Sequence, residues 1–117
     1  VQIAERKESE MSLDVHLEDE NGNEIYWSNI THNLGEMADQ AGIYKCLWRP
    51  EEIGITKAGQ IIEPLSVGLS LLVTERAKYE AFNSPNGWGK WEHFVPWCAA
   101  YLQACRDNPD ALVTVSR

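Results

Sequence analysis

Residues 13–27, with the sequence LDVHLEDENGNEIYW, decide the fold because apolar and polar side chains alternate along them. In the first half, Leu13, Val15 and Leu17 lie two positions apart and therefore share one face of an extended chain. The residues between them are acidic or polar, which is typical of a strand with one buried and one solvated face. This segment is therefore predicted to form the first strand of an antiparallel sheet.

A turn and a second strand are predicted directly after it. Asn21-Gly22 favours a tight type I′ turn, in which both central residues need positive φ. After such a turn, Ile25 and Trp27 are expected to continue the inward face, while Tyr26 faces outward. A hairpin alone is marginally stable in water, so further elements must pack against it.

Three stretches beyond the hairpin carry apolar residues at helical spacing. Asn29 is a candidate cap for a helix over residues 30–41, because its side chain can accept hydrogen bonds from the first turn. A second pattern covers residues 56–73 and contains Pro64, which predicts a helix that starts near this proline or is kinked by it. The third pattern covers residues 91–105.

These elements predict an α+β domain in which a small antiparallel sheet is covered on one face by about three helices. The sheet consists of the N-terminal hairpin and a β-branched C-terminal strand at residues 111–115, placed beside the first strand. Residues 11–117 are expected to form this single globular domain, and residues 1–10 a polar tail or linker. The expected core residues are Leu13, Val15, Leu17, Ile25, Trp27, Leu34, Leu65, Leu69, Phe94, Tyr101 and Val113.

The charge and hydropathy of the chain exclude two classes of partner. Its 117 residues include 18 Asp and Glu against 10 Lys and Arg, a formal net charge of −8. Non-specific nucleic-acid binding depends on basic side chains that neutralise phosphates, so it is not expected. Apolar runs such as residues 69–73 are far shorter than the roughly 20 residues that span a bilayer, and no secretory leader opens the chain. A cytoplasmic protein without membrane contact is the expectation.

Carboxylates concentrate around the predicted hairpin, at Asp14, Glu18, Asp19, Glu20 and Glu24. Charged residues of this kind are typical of a solvated sheet edge that resists pairing with other strands. The alternative is an acidic surface that imitates nucleic acid or docks on a basic protein.

The sequence lacks the motifs of the common catalytic and cofactor-binding classes. It contains no phosphate-binding loop, nucleophile elbow or zinc-protease motif, and its three cysteines lack Cys-x-x-Cys spacing. No metal and no cofactor is therefore expected. His32 is the histidine with polar neighbours suited to catalysis, and it is the candidate general base if the protein is an enzyme. Together, these features favour a binding module over an enzyme.

A candidate binding site combines polar side chains at a strand-to-helix junction with aromatic groups and one cation. The start of a helix offers backbone donors to an anionic or carbonyl ligand. Arg49 can grip a carboxylate or phosphate through two hydrogen bonds, and the glycines around Trp88 allow close backbone approach. The candidate ligand-binding residues are Asn29, Thr31, His32, Asn33, Tyr44, Trp48, Arg49, Asn86 and Trp88.

Four strings, in this order, carry a resemblance to a known family: NITHNL at residues 29–34, AGIY at 41–44, LWRPEE at 47–52 and NGWG at 86–89. On these motifs, the chain resembles a family of small proteins encoded in bacteriophage and bacterial genomes. The resemblance implies a setting in a bacterium or an infected cell. It brings no established activity with it.

The expected function is that of a small binding or interaction module. Its expected partner is a small anionic molecule, such as a nucleotide-derived signal, or a host protein in counter-defence or regulation. The alternative is a small enzyme that uses His32 as general base, with Asn29 or Asn33 orienting the substrate.

Overall fold

Three antiparallel strands form the sheet in the computed structural model, which describes residues 12–117. β1 spans Ser12–Glu18, β2 spans Glu24–Thr31 and β3 spans Leu112–Ser116, in the spatial order β2-β1-β3. The predicted hairpin is confirmed, as is the position of the C-terminal strand beside the first. The tail predicted for residues 1–10 lies outside the described residues.

The hairpin turn differs from the predicted type I′ turn. The Gly22 amide donates to the Asp19 carbonyl at 3.0 Å, and Gly22 has a φ of 82°. Asn21 does not have positive φ, so the turn is of type I and is followed by a left-handed glycine. The Asp19 carboxylate fixes this loop by accepting the Asn21 and Asn23 amides, each at 2.9 Å. Its hydrogen bonds to Asn23 lower the pKa of Asp19.

The inward side chains of β2 are Tyr26, Ser28 and Ile30, whereas Ile25 and Trp27 were predicted to face inward. The inward pairs are Leu13 with Ile30, Val15 with Ser28, and Leu17 with Tyr26. Directly paired residues of antiparallel strands share a face, so Tyr26 and Ser28 lie inward with Leu17 and Val15, and the register shifts only between Leu17 and Glu18, next to the turn. Ile25 and Trp27 are therefore 41% and 53% exposed, and the prediction that they belong to the core is wrong.

The described residues form five α-helices, and the longest of them contacts β2 of the sheet. They are α1 (Gly35–Gln40), α2 (Tyr44–Trp48), α3 (Gly59–Thr74), α4 (Arg76–Glu80) and α5 (Trp91–Asp107). Short 3₁₀ turns span His32–Leu34 and Pro50–Ile53. The long helices α3 and α5 pack against each other, and both accommodate a proline in their interior. The predicted α+β class is confirmed.

The first helical segment starts later than predicted. β2 continues to Thr31, so Asn29 lies in the strand, and the prediction that Asn29 caps a helix is wrong. The Thr31 hydroxyl instead accepts the Asn33 amide at 3.2 Å and caps the 3₁₀ turn. Asn29 donates from its side chain to Asp14 on the neighbouring strand.

The hydrophobic core lies between the inward sheet face and the helices. Seven expected core residues are buried there: Leu13, Val15, Leu17, Leu34, Leu65, Phe94 and Tyr101. Leu69 and Val113 are partly buried and pack against this core. Among the helices of residues 12–117, none has the length and apolar character needed to cross a membrane.

Candidate functional site

A cleft of about 380 Å³ opens where the end of β2, helix α2 and the end of β3 meet. We call it the arginine cleft, and its lining residues are His32, Tyr44, Trp48, Arg49 and Arg117. Its volume falls in the range of sites that bind small molecules. Four of the five lining residues are among the sequence-predicted site residues, and Arg117 is the addition.

The aromatic wall of the cleft is built by one turn of helix. Tyr44 and Trp48 are four residues apart in α2, so their side chains lie on the same side of the helix. Their rings stack with centroids 5.3 Å apart and planes 11° from parallel. Trp48 is 2% exposed, whereas Tyr44 is half-buried. The stack therefore anchors the wall in the core and presents its outer ring toward the opening.

His32 is tied to this wall by a hydrogen bond. The Trp48 indole Nε1 donates to His32 Nδ1 at 2.7 Å, so Nδ1 carries no proton in this arrangement. Desolvation lowers the pKa of His32, and Asp14 opposes this effect in part. The imidazole is therefore neutral near pH 7, with its proton on Nε2. This tautomer makes His32 a hydrogen-bond donor on its free side.

Two guanidinium groups stand beside the aromatic wall, each held by a carboxylate. Arg49 Nη1 lies 3.0 Å from Glu52 Oε2, and the Tyr44 side chain together with Glu52 keeps the pKa of Arg49 above its usual value. Arg117 Nη2 lies 2.8 Å from Glu51 Oε2, and its Nη1 donates to the Trp48 carbonyl at 2.9 Å. Arg117 in turn lowers the pKa of the Glu51 carboxyl. Both guanidinium groups are thus charged and fixed in orientation.

A second concavity of about 940 Å³ adjoins the first along the chain, because His32 lines one and Asn33 lines the other. We call it the Trp88 cavity. It contains the remaining sequence-predicted residues, Asn29, Thr31, Asn33, Asn86 and Trp88, together with Ser12, Ile30, Leu34, Gly87, Gly89 and His93.

The loop that carries Trp88 is fixed by side chains even though its indole is 71% exposed. Asn86 Oδ1 accepts the Trp88 amide at 2.9 Å, and Asn33 Nδ2 donates to the Trp88 carbonyl at 2.7 Å. Gly89 has a φ of 116°, and a Cβ there would lie 2.9 Å from Asn33 Cβ. A glycine is therefore required for this approach, and Asn33 and Asn86 serve to hold the loop.

The predicted site is thus distributed over two neighbouring concavities. His32, Tyr44, Trp48 and Arg49 meet in the arginine cleft, and the other predicted residues surround the Trp88 cavity. Arg117 carries no motif in the sequence; it reaches the cleft because β3 pairs antiparallel to β1 and ends beside the aromatic wall. That these residues bind a ligand stays a prediction.

The cysteines offer no reactive thiol. Cys46, Cys98 and Cys105 are free and buried. Desolvation raises the pKa of Cys46 and of Cys105 to about 12, and it raises the pKa of Cys98 well above its usual value. The thiolate is the nucleophilic and metal-binding form, so these side chains act as small apolar core residues. Within the described part of the chain, no three His, Cys, Asp or Glu side chains are grouped to hold a metal ion.

Comparisons with protein-family models, curated proteins and solved structures found no match to this chain. The chemistry of the surfaces described above is therefore the basis for a functional conclusion. The arginine cleft offers cationic donors and a stacking face, while the Trp88 cavity offers amides and an exposed indole.

Proposed function

We propose that the protein is a binding module whose arginine cleft holds a small molecule that joins a planar ring to an anionic group. The observation that carries this proposal is the meeting of Arg49 and Arg117 beside the stacked rings of Tyr44 and Trp48. Guanidinium groups bind carboxylate and phosphate oxygens through paired hydrogen bonds. An aromatic face favours a ligand with a planar ring.

The two ion pairs support this use of the cleft. A guanidinium group carries five N–H donors, and Glu51 and Glu52 engage only part of them on Arg117 and Arg49. The remaining donors are available to a ligand. Because the carboxylates already fix the arginine side chains, less conformational entropy is lost when a ligand binds.

The neutral state of His32 supports binding over catalysis. A general base needs an unprotonated nitrogen directed at the substrate. In His32 that nitrogen is Nδ1, which already accepts a hydrogen bond from the Trp48 indole N–H. We therefore assign His32 the role of a donor that orients the ligand through Nε2, and the enzyme alternative has no comparable support.

The biological role we propose follows from the ligand class. Nucleotide-derived signals combine a planar base with phosphate groups, and a module that sequesters them suits a phage protein acting in the cytoplasm of a bacterial host. Counter-defence or regulation would then be achieved by lowering the free concentration of such a signal.

Native mass spectrometry of protein purified from cells tests the proposal. We expect a bound mass of a few hundred daltons that is absent from the denatured protein. The bound mass should be lost in Arg49→Ala and in Arg117→Ala, because each removes a cationic donor from the cleft.

Trp27→Ala is the matched control, because Trp27 is an exposed aromatic residue outside the cleft. It should retain the bound mass. Finding no bound mass in the wild-type protein, or a bound mass that survives both arginine substitutions, would contradict the proposal.

A further inference from the structure

The side of the sheet opposite the helices is uncovered in the described part of the chain. We call it the outer face. Register places its side chains in three rows across the strands β2, β1 and β3: Asn29, Asp14 and Ser116; Trp27, His16 and Thr114; and Glu24, Glu18 and Leu112. Trp27 is 53% exposed at the centre of one edge, and Leu112 is 45% exposed at the other. Trp27 therefore offers a partner an exposed aromatic ring beside the β2 edge.

The charged side chains of the three strands have one sign, and Lys57 lies beside Leu112 at the far edge. The strands carry the carboxylates of Asp14, Glu18 and Glu24, and they contain no lysine or arginine. Asp14 accepts a hydrogen bond from Asn29, and Glu24 lies 2.7 Å from His16 Nδ1, so these carboxylates belong to the outer face. A negative potential over a surface selects a partner with positive charge.

The edge of β2 is open for pairing. Within the described residues, positions 24–30 make their backbone ladder with β1 and no other element. β2 is eight residues long and has neither proline nor lysine, the residues that usually protect an edge. The β3 edge is different, because the Val113 amide donates to the Thr56 carbonyl at 2.9 Å and Lys57 bridges to Leu112.

We infer that the β2 edge and the outer face dock an extended basic segment of another protein, which adds to the sheet as a fourth strand. The backbone of that segment pairs with β2, as in other cases of strand addition. Adjacent strands lie about 4.8 Å apart, so an arginine on the added strand can lie over Trp27 and extend toward Asp14 and Glu18. This surface is separate from the arginine cleft and does not depend on the function proposed for it.

A synthetic peptide of about eight residues in which arginine alternates with valine is a suitable probe. Its binding is measured by fluorescence anisotropy and compared with a glutamate–valine peptide of the same length. We expect saturable binding of the arginine peptide and none of the glutamate peptide. Methylating alternate backbone nitrogens of the arginine peptide should abolish binding, because those groups can no longer donate to β2.

Charge-matched variants separate a specific surface from the overall negative charge. The double variant Asp14→Asn/Glu18→Gln should weaken binding at least tenfold. Asp39→Asn/Glu63→Gln removes the same charge from exposed helix positions and should change affinity less than threefold. Trp27→Ala should weaken binding at least fivefold, whereas Val67→Ala, at an exposed apolar position of α3, should leave it unchanged.

Three results would overturn the inference: no binding of the arginine peptide, equal weakening by the two double variants, or undiminished binding of the N-methylated peptide. Trp27 and the substituted carboxylates lie on the surface, so the variants are expected to fold. Circular dichroism of each variant checks this expectation.

Discussion

The arginine cleft and the outer face of the sheet use the same kinds of residue in opposite ways. In the cleft, the Trp48 indole is buried, its N–H bonds to His32, and cations stand beside it. On the outer face, the Trp27 indole is half-exposed and the charges around it are carboxylates. One surface is concave and fixed by mutual contacts, and the other is open and lies beside a free strand edge.

The difference shows that an acidic protein can present one surface suited to anions and another suited to basic partners. A net charge of −8 does not prevent guanidinium donors from gathering in one cleft, because Arg49 and Arg117 converge from distant parts of the chain. Electrostatic selectivity is therefore set by the local arrangement of charges and by how far water is excluded. Concave cationic sites suit small anions, and flat acidic faces suit basic segments of larger partners.

The largest expected effect distinguishes the two indoles by their contribution to folding. Trp48→Ala removes a buried side chain, its stack on Tyr44 and its bond to His32, so we expect the free energy of unfolding to fall by about 3–5 kcal/mol. Trp27→Ala should lower it by less than about 1 kcal/mol, because that side chain stays half in water when the protein folds. Urea denaturation of both variants measures the difference. Equal losses would mean that the assigned burial of the two residues is wrong.

The next largest effect is on ligand binding, and it separates the arginine cleft from the outer face. Arg49→Ala and Arg117→Ala should each weaken binding of an aromatic phosphate by roughly ten- to a hundredfold, the usual range for loss of a charged hydrogen bond. Their melting temperatures should stay close to that of the wild-type protein, because the ion pairs they lose are exposed to solvent. Calorimetric titration and thermal denaturation provide the two readings. A large fall in melting temperature would instead make the arginines structural residues.

The smallest expected effect is a dependence of stability on pH that originates in the cleft. Burial lowers the pKa of folded His32 below its ordinary value of 6.5, so the unfolded chain binds a proton more readily. Stability contributed by neutral His32 is therefore complete above about pH 6.5 and decreases as the pH falls toward the folded pKa. Protonation also prevents Nδ1 from accepting the Trp48 indole.

Denaturation curves for the wild-type protein and His32→Gln measure this contribution. The stability difference between them should narrow as the pH is lowered from about 8 to about 5, the range in which histidine titrates. A stability difference that stays constant over this pH range would exclude His32 as the origin of the pH dependence. His16→Gln is the control on the outer face, where the imidazole bonds to Glu24 instead of an indole.

The alternating residues of β1 and the apolar spacing of the long helices could be predicted because these patterns depend on local geometry. Leu13, Val15 and Leu17 must share a face in any strand, and their burial is confirmed. The inward face of β2 depends instead on which residues pair with β1. Tyr26 lies opposite buried Leu17, the pairing that a two-residue turn at Asn21-Gly22 also requires, so assigning the more apolar Ile25 and Trp27 to the inward face was the error.

The arginine cleft was predictable only in part for a related reason. Tyr44, Trp48 and Arg49 are close in sequence, so helical spacing brings them together. Arg117 is distant in the chain, and its place depends on how β3 pairs with β1. Sequence motifs record local spacing, whereas convergence of remote segments follows from strand order and register.

Calorimetric titration of the four common nucleoside monophosphates and their uncharged nucleosides tests the central claim most directly. The proposed site predicts that at least one monophosphate binds, that its nucleoside binds at least tenfold more weakly, and that Arg117→Ala removes most of this difference. Trp27→Ala should leave the binding curve unchanged. Binding that is equal for nucleoside and monophosphate, or absent for all of them, would contradict the assignment of the arginine cleft as a site for aromatic anions.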